Sequence, residues 1–240
     1  MNAPDDSRTI RYVWFDQDDT LYSYHDAMHR ALRTCLDIIH GRFPATRETL
    51  GVAEMIQVRS DIADRVERAG MDFVQARREA FRETLGRYAR LESGLDEALT
   101  DAYYDALHTR VWPFPETEQC LRELAGDRLL GVLSNGMSLL GELGIEGFFE
   151  HTIYALELGL YKPDPAIFGH AMSLAGAESG ECLLVGDNRI CDVVGARDAG
   201  WTAVWLNRDG RLWDIDAEPP ELVITSLAEL PPMIAELNST

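Results

Sequence analysis

Three aspartates lie within four residues in the segment FDQDDT, which follows a short apolar run. Clustered carboxylates repel one another, so the segment is either a solvated acidic turn that caps a helix or a group held together by a cation. In the second case Asp16 could act as a nucleophile toward phosphorus. Asp18 could protonate the leaving oxygen and then deprotonate a water. We expect these two carboxyl groups to titrate as a coupled pair.

A carboxylate can attack a phosphate dianion only if positive charge neutralises the phosphate. Two later segments could provide that charge, one by binding a metal ion and the other through a lysine. In VGDNRICD, Asp187 directly follows an apolar run and Asp192 comes five residues later. Asp16, Asp187 and the Asp18 carbonyl would give Mg²⁺ hard oxygen ligands. Asp192 is expected to support this metal site by orienting a water or Lys162, or else to be an ordinary first-turn helix acid. Lys162, in YKPDP, is the single lysine beside 21 arginines and would be a compact fixed charge.

A third segment, VLSNG, places Ser134 and Asn135 after another apolar run. A side-chain hydroxyl and a backbone N–H at these positions could donate to a phosphoryl oxygen. The alternative for so short a motif is an ordinary turn.

Short apolar runs alternate with helical patterns in most of the chain. The predicted strands are 11–15, 129–133, 151–156, 182–186, 202–206 and a last short one in ELVITSLAELPPMIAEL. This alternation predicts a parallel sheet covered by helices on both faces. Ligands bind at the carboxyl ends of such strands, where Asp16, Ser134 and Asp187 would meet. Lys162 lies in the loop after the 151–156 strand.

From about Tyr24 to Arg110 the apolar residues recur at helical spacing instead, with no strand pattern. We expect about four helices there, one of them starting with a Thr/Glu capping pattern at TRETL and ending at Gly70. Pro113 and Pro115 suit a stiff linker back to the first block. The predicted domains are therefore 1–22 with 111–240, and an all-α domain at 23–110.

Composition excludes some partners and indicates a compartment. A net charge of −19 argues against binding a nucleic acid polymer or an anionic membrane surface. No run approaches the ~20 apolar residues of a membrane span, and the first residues lack a signal-peptide core, so we expect a cytoplasmic monomer or homodimer. The cysteines, expected to be small buried hydrophobes in a reducing compartment rather than a zinc site, are Cys35, Cys120, Cys182 and Cys191.

The segments DQDDT, SN, YKPDP and GDNRICDVVGARDAGW resemble, in this order, the four motifs of the haloacid dehalogenase (HAD) superfamily. The resemblance spans residues 11 to about 230, and the helical block resembles that superfamily's C1 cap. It implies an α/β fold with a doubly wound, Rossmann-like, mostly parallel sheet and an inserted all-α cap domain. The capped nucleotidase-like and sugar-phosphatase-like members are the most similar.

The resemblance also implies roles for the residues of the first motif. Asp16 would be the nucleophile and a Mg²⁺ ligand, and Asp18 the acid/base and a further ligand through its carbonyl. Thr20 would help to position the nucleophile loop. Gln17 stands where an apolar residue is common in the family and would offer its backbone N–H to the phosphoryl group. Its side chain would need a hydrogen-bond partner if buried.

The other motifs are expected to bind phosphate and metal. Ser134, Asn135 and Lys162 would bind the phosphoryl group, with Lys162 also serving catalysis. Asp187 would ligate Mg²⁺ with Asp192 in support.

Four alternatives exist on the same fold. Haloacid dehalogenases lack the second aspartate of the first motif, whereas this chain has Asp18, and a phosphonatase would need a lysine in the cap, which has none. A phosphomutase shares both aspartates, and a non-catalytic regulatory protein would be damaged at one of these positions. We therefore expect a Mg²⁺-dependent phosphatase for a small phosphate ester, of the nucleoside monophosphate or sugar phosphate class. Aromatic residues such as Tyr22 and Tyr24 could stack on a base, or simply fill a core.

Overall fold

A computed structural model describes residues 9–68, 72–137 and 139–239. The chain divides into two compact units. The α/β unit comprises the residues up to Ser23 and those from Trp112 onward, and the helical unit is Tyr24–Val111. In the part of the chain that the structure describes, none of the helices combines the length and apolarity that crossing a bilayer requires.

Among its described residues, the α/β unit contains six strands and the helices that connect them. The strands are β1 (Tyr12–Phe15), β2 (Leu129–Ser134), β3 (His151–Tyr154), β4 (Cys182–Gly186), β5 (Thr202–Leu206) and β6 (Leu222–Ile224). The α-helices of this unit are α6 (Thr117–Leu124), α7 (Leu140–Leu143), α8 (Ala155–Leu158), α9 (Pro165–Ala175), α10 (Gly195–Asp198) and α11 (Leu230–Leu237). Short 3₁₀ turns lie at Glu146–Phe148, Ser179–Glu181 and Leu227–Glu229, and a π-helical segment at Arg189–Val194.

All six strands are parallel, in the order β3-β2-β1-β4-β5-β6. Every residue of strands β1 and β4 is buried, which explains why their sequences are continuous apolar runs. The predicted doubly wound α/β sheet is thus confirmed, with β4 and β5 at their expected bounds. Strand β3 is two residues shorter than expected, because Ala155 already begins the one-turn helix α8.

A cluster of aromatic side chains packs against one face of the sheet. The Trp14 and Trp201 rings lie 6.0 Å apart between centroids, and the Phe168 ring meets Trp201 edge-on at 5.3 Å. Gly131 in strand β2 makes room for this cluster, since a Cβ there would come within 2.5 Å of the Trp14 ring. Burial of these apolar side chains stabilises this face of the sheet.

The helical unit contains more elements than its sequence pattern indicates. Its α-helices, among the described residues, are α1 (Tyr24–Arg42), α2 (Val52–Asp61), α3 (Ala63–Arg68), α4 (Phe73–Tyr88) and α5 (Leu95–Leu107). The predicted helix start at TRETL is wrong: Pro44–Glu48 forms a 3₁₀ turn, and α2 begins where the Gly51 N–H donates to Glu54 Oε2 at 2.8 Å. Helix α2 ends before Ile62, which separates it from α3. The predicted helix end at Gly70 lies outside the described residues.

Helices α1 and α5 supply much of the core of the helical unit. Ala27, Ala31 and Cys35 are buried at four-residue spacing on α1, as are Leu99 and Tyr103 on α5. The Cys35 thiol donates to the Leu99 carbonyl at 3.3 Å, which ties the two helices together.

Candidate active site

The carboxyl ends of β1, β2 and β4 meet at one edge of the sheet, because β1 pairs with both of the others in parallel. A cavity of about 240 Å³ opens at this edge. The predicted site residues that line it are Asp16, Asp18, Ser134, Asn135, Lys162, Asp187 and Asp192, and the further lining residues are Asp19, Gly136, Asn188 and Cys191. The predicted site residues Gln17 and Thr20 are buried and are not among the lining residues.

The Lys162 ammonium group is enclosed between two carboxylates. Its Nζ lies 2.8 Å from Asp16 Oδ1 and 2.6 Å from Asp192 Oδ1. Burial by itself would lower the pKa of this lysine, but the attraction of Asp16 and Asp192 outweighs burial and holds the pKa above its ordinary value. The amine therefore stays charged at neutral pH.

Asp16 lies directly after β1 and is anchored through its backbone, whose N–H donates to the Val185 carbonyl at 2.9 Å. Burial raises the pKa of the Asp16 carboxyl well above its ordinary value, Lys162 opposes this, and the neighbouring acids reinforce it. The Thr20 hydroxyl donates to Asp16 Oδ2 at 3.4 Å, which is a long hydrogen bond. A cation in the cavity would favour the ionised form of Asp16.

The Asp18 carboxylate is oriented by two hydrogen bonds that it accepts. Its Oδ1 accepts from the Tyr22 hydroxyl at 2.7 Å and from Gln17 Nε2 at 3.3 Å. Burial raises the pKa of Asp18, and these two donors oppose the rise. Tyr22 therefore belongs to this site in the α/β unit, and the suggestion that it stacks on a base from the helical block is not supported.

Asp16, Asp187 and Asp192 could together hold a metal ion. Each offers one carboxylate oxygen, and these oxygens all lie within 4.8 Å of one another. An all-oxygen, acidic donor set fits Mg²⁺. The Asp18 side chain is not in this group, so any contribution from Asp18 to the metal would come from its backbone carbonyl.

Asp187 and Asp192 are held differently by their surroundings. Burial raises the pKa of Asp187 to about 6, with Asp192 adding to the rise. Asp192 lies in the π-helical segment, which Asn188 begins by accepting from two backbone N–H groups. Asp192 Oδ2 accepts from the Asn188 N–H at 2.9 Å, while its Oδ1 meets Lys162. Both Asp192 oxygens are thus engaged, which suits a supporting acid.

Ser134 and Asn135 occupy the loop after β2. Ser134 Oγ accepts from the Gly136 N–H at 3.0 Å, which leaves the hydroxyl hydrogen available to a ligand. The Asn135 side chain instead binds the Lys162 backbone: Oδ1 accepts from the N–H at 2.8 Å, and Nδ2 donates to the carbonyl at 2.9 Å. The Asn135 side chain therefore positions the lysine, and Asn135 could contact a substrate through its backbone N–H instead.

The partner of Gln17 is a loop that lies far away in the sequence. Its Nε2 donates to the Met137 carbonyl at 2.7 Å, and its Oε1 accepts from the Leu139 N–H at 3.2 Å. The fully buried Gln17 side chain thus satisfies two backbone groups of the loop after β2.

Two residues that contact Asp187, and four that line the cavity, lie outside the set of residues predicted from the motifs. The Arg211 guanidinium donates to the Asp187 carboxylate, and the Trp205 indole donates to its carbonyl. Both lie in or after β5, outside the four motifs, and only the strand-end rule applied to β5 could have drawn attention to them. The expectation that all four cysteines are buried is wrong for Cys191, which is half-buried at the cavity, where burial raises the pKa of its thiol to about 11.

Comparison with known proteins places the chain in a family. Residues 10–200 match the family model of haloacid dehalogenase-like hydrolases. A glyceraldehyde 3-phosphate phosphatase from Methanopyrus kandleri is 30% identical over 241 residues, covering 95% of this chain and 98% of that protein. A pyrimidine 5'-nucleotidase from Escherichia coli is 28% identical over 144 residues, covering 58% of this chain and 64% of that protein.

A solved structure gives the same result. The 2-haloacid dehalogenase from Pseudomonas syringae pv. tomato is similar with a TM-score of 0.75 and 30% identity, over 95% of this chain and 99% of that one. The relatives named phosphatases support the predicted enzyme class, and the resemblance drawn from the four motifs is confirmed. This chain belongs to the haloacid dehalogenase-like hydrolase family.

Proposed function

We propose that this protein is a Mg²⁺-dependent phosphomonoester hydrolase that acts through an aspartyl-phosphate. The observation that carries the proposal is the buried Lys162 ammonium between Asp16 and Asp192, with Asp187 beside them at the same strand edge. This arrangement places a nucleophilic carboxylate next to a fixed cation and a cluster of metal-binding oxygens.

In the proposed reaction Asp16 attacks phosphorus and the bond to the leaving oxygen breaks. Lys162 neutralises charge on the phosphoryl group, and Ser134 donates its hydroxyl hydrogen to a phosphoryl oxygen. Bound Mg²⁺ would supply further charge neutralisation, held by Asp16, Asp187 and the Asp18 carbonyl.

Asp18 would transfer the protons in both halves of the reaction. The raised pKa of Asp18 favours its protonated form. Asp18 can therefore donate this proton to the leaving oxygen, after which Asp18 is ionised. The ionised Asp18 then removes a proton from the water that hydrolyses the aspartyl-phosphate, which restores the starting state. The Tyr22 hydroxyl, at 2.7 Å, would hold the carboxyl group in place during both transfers.

The helical unit is assigned as the cap, and the substrate as a small phosphate ester of the nucleoside monophosphate or sugar phosphate class. The names of the relatives support this class, since one is a pyrimidine 5'-nucleotidase and another a glyceraldehyde 3-phosphate phosphatase. The test is phosphate release from a panel of nucleoside monophosphates, sugar phosphates and phosphoglycolate.

Each panel assay is run with Mg²⁺ and with EDTA. We expect activity only with the metal, and none in the Asp16→Asn variant. Turnover in EDTA contradicts the metal requirement, and full activity of Asp16→Asn contradicts the nucleophile. Failure on every ester would favour a phosphomutase or a regulatory protein on this fold.

Dehalogenation is the second candidate, because the solved Pseudomonas syringae relative is a 2-haloacid dehalogenase at 30% identity. Asp18 argues against it, since a dehalogenase has no leaving oxygen to protonate. Chloride release from 2-chloropropionate tests this candidate directly. Release that exceeds phosphate release from the best ester would replace the phosphatase proposal.

A further inference from the structure

Asp187 is oriented by donors that come from β5 and the segment after it. Arg211 Nη2 donates at 3.0 Å to Asp187 Oδ2 and at 3.0 Å to the Asp187 carbonyl oxygen. The Trp205 indole N–H donates to the same carbonyl at 3.0 Å. Both the backbone and the carboxylate of Asp187 are therefore held, and in the part of the chain that the structure describes these donors leave Oδ1 to another partner.

Arg211 is itself held in place by its backbone. Its N–H donates to Asn207 Oδ1 at 2.8 Å, and its carbonyl accepts from Asn207 Nδ2 at 3.0 Å. The Asn207 side chain is buried, so this pair of hydrogen bonds defines where the Arg211 side chain begins. Ordering a long, 40% exposed arginine side chain for two hydrogen bonds to Asp187 costs conformational entropy, and the fixed Arg211 backbone limits that cost.

A second arginine holds the same segment without touching Asp187. Arg189 Nη1 donates to the Leu212 carbonyl at 2.8 Å and pairs with the Asp214 carboxylate. The chain thus offers two arginines with the same charge and the same neighbourhood, of which one reaches the proposed metal ligand. Comparing variants of the two arginines therefore distinguishes an effect that acts through Asp187 from an effect of disturbing the segment after β5.

We propose that Arg211 is a positioning residue for a divalent cation: it fixes the Asp187 carboxylate so that one oxygen faces Asp16 and Asp192. The inference rests on the metal site of the proposed function. Hydrogen-bond partners of this kind orient metal ligands, and their loss typically weakens metal affinity by about 10–100-fold. Without Arg211 the Asp187 side chain would sample other rotamers, and part of the binding free energy would be spent on ordering it.

The test is thermal unfolding of the full chain over a series of Mg²⁺ concentrations, without substrate. The unfolding temperature without Mg²⁺ reports structural damage, and its rise with concentration gives the dissociation constant. We expect Arg211→Gln to raise the Mg²⁺ dissociation constant by about tenfold or more, with little change in the metal-free unfolding temperature. Arg189→Gln should keep the dissociation constant within about twofold of wild type.

Arg211→Lys separates orientation from charge. Lysine keeps the positive charge but replaces the planar guanidinium by a shorter point charge, so we expect it to bind Mg²⁺ at least about threefold more weakly than wild type. A lysine variant equal to wild type, a glutamine variant that binds Mg²⁺ more tightly, or equal losses in the Arg189 and Arg211 variants would each overturn the role of Arg211. A wild-type protein that does not respond to Mg²⁺ refutes the metal site itself, and the role of Arg211 with it.

Discussion

Replacing Gly136 by alanine should disable Asp18 without removing any catalytic group. A Cβ at position 136 would lie 2.6 Å from Asp18 Oδ2 and 3.3 Å from Ser134 Oγ. To restore ordinary van der Waals contact, the Asp18 carboxylate must retreat by about 0.8 Å. Its hydrogen bonds from Tyr22 and Gln17 resist this movement, so the carboxylate either leaves these donors or rotates away from the leaving oxygen.

The size of the effect follows from the role of Asp18. A displacement near 1 Å can cost about 10²-fold in rate, within the 10²–10⁴-fold that general acid–base catalysis contributes. We expect kcat for an alkyl phosphate to fall by about 10²-fold. An aryl phosphate such as p-nitrophenyl phosphate needs little protonation of its leaving oxygen. It should therefore release a first equivalent of p-nitrophenol quickly and then turn over slowly, because the hydrolysis step still lacks its base.

The control is Gly169→Ala in the middle of α9, where a Cβ would meet nothing within 4 Å. This variant should keep full activity and gain about 0.5–1 kcal/mol of stability, because alanine loses less backbone entropy than glycine in a helix. Wild-type kcat on alkyl phosphates in Gly136→Ala would refute the assigned role of Asp18. Equal loss on alkyl and aryl substrates, without a burst, would refute the two-step reasoning.

Three further outcomes are expected. Lys162→Arg should lower kcat by about 10²-fold, because the broad guanidinium cannot occupy the buried space between two carboxylates; a wild-type rate in this variant contradicts the site. Burial raises the pKa of Asp187 to about 6, so the carboxyl is ionised above that pH and protonated below it. The Mg²⁺ dissociation constant, from metal titrations at pH 5–8, should accordingly rise by up to about tenfold per unit below pH 6, and a pH-independent constant excludes Asp187 as a ligand. Gln17→Leu leaves the Met137 carbonyl and the Leu139 N–H without their partner. It should lower the free energy of unfolding by about 2 kcal/mol, which calorimetry would show as an unfolding temperature lower by about 4–8 °C. An unchanged unfolding temperature would mean that water replaces the amide.

The sheet could be predicted well from sequence, because its strands are short, apolar and separated by clear turn residues. The runs CLLVG and TAVWL coincide with β4 and β5, since strands buried on both faces admit few polar residues. That Asp16, Ser134 and Asp187 lie at one edge of the sheet could be predicted from one rule alone, that ligands bind at the carboxyl ends of parallel strands. The helix start in TRETL failed, because a proline at position 44 and Gly51 favour a 3₁₀ turn and a later helix.

Side-chain pairings within the site were beyond a local reading of the sequence. Asn135 matches a phosphate-binding motif, yet its amide binds the backbone of a residue 27 positions away. Gln17 finds its partners about 120 positions away, and Arg211 reaches Asp187 across 24. Such contacts depend on loop conformations that no periodicity encodes, since the pairing of an amide or a guanidinium is decided only when the strands have brought the loops together.

The amide side chains of Gln17 and Asn135 also join loops that belong to different strands. Gln17 links the turn after β1 to Leu139, and Asn135 links the turn after β2 to Lys162. The backbone N–H groups of Leu139 and Lys162 thus each donate to a side chain of another loop, and exchange of either hydrogen requires that this hydrogen bond opens. We therefore expect the Leu139 and Lys162 N–H groups to be among the slowly exchanging amides of these loops, with similar opening free energies when their exchange with deuterium is measured.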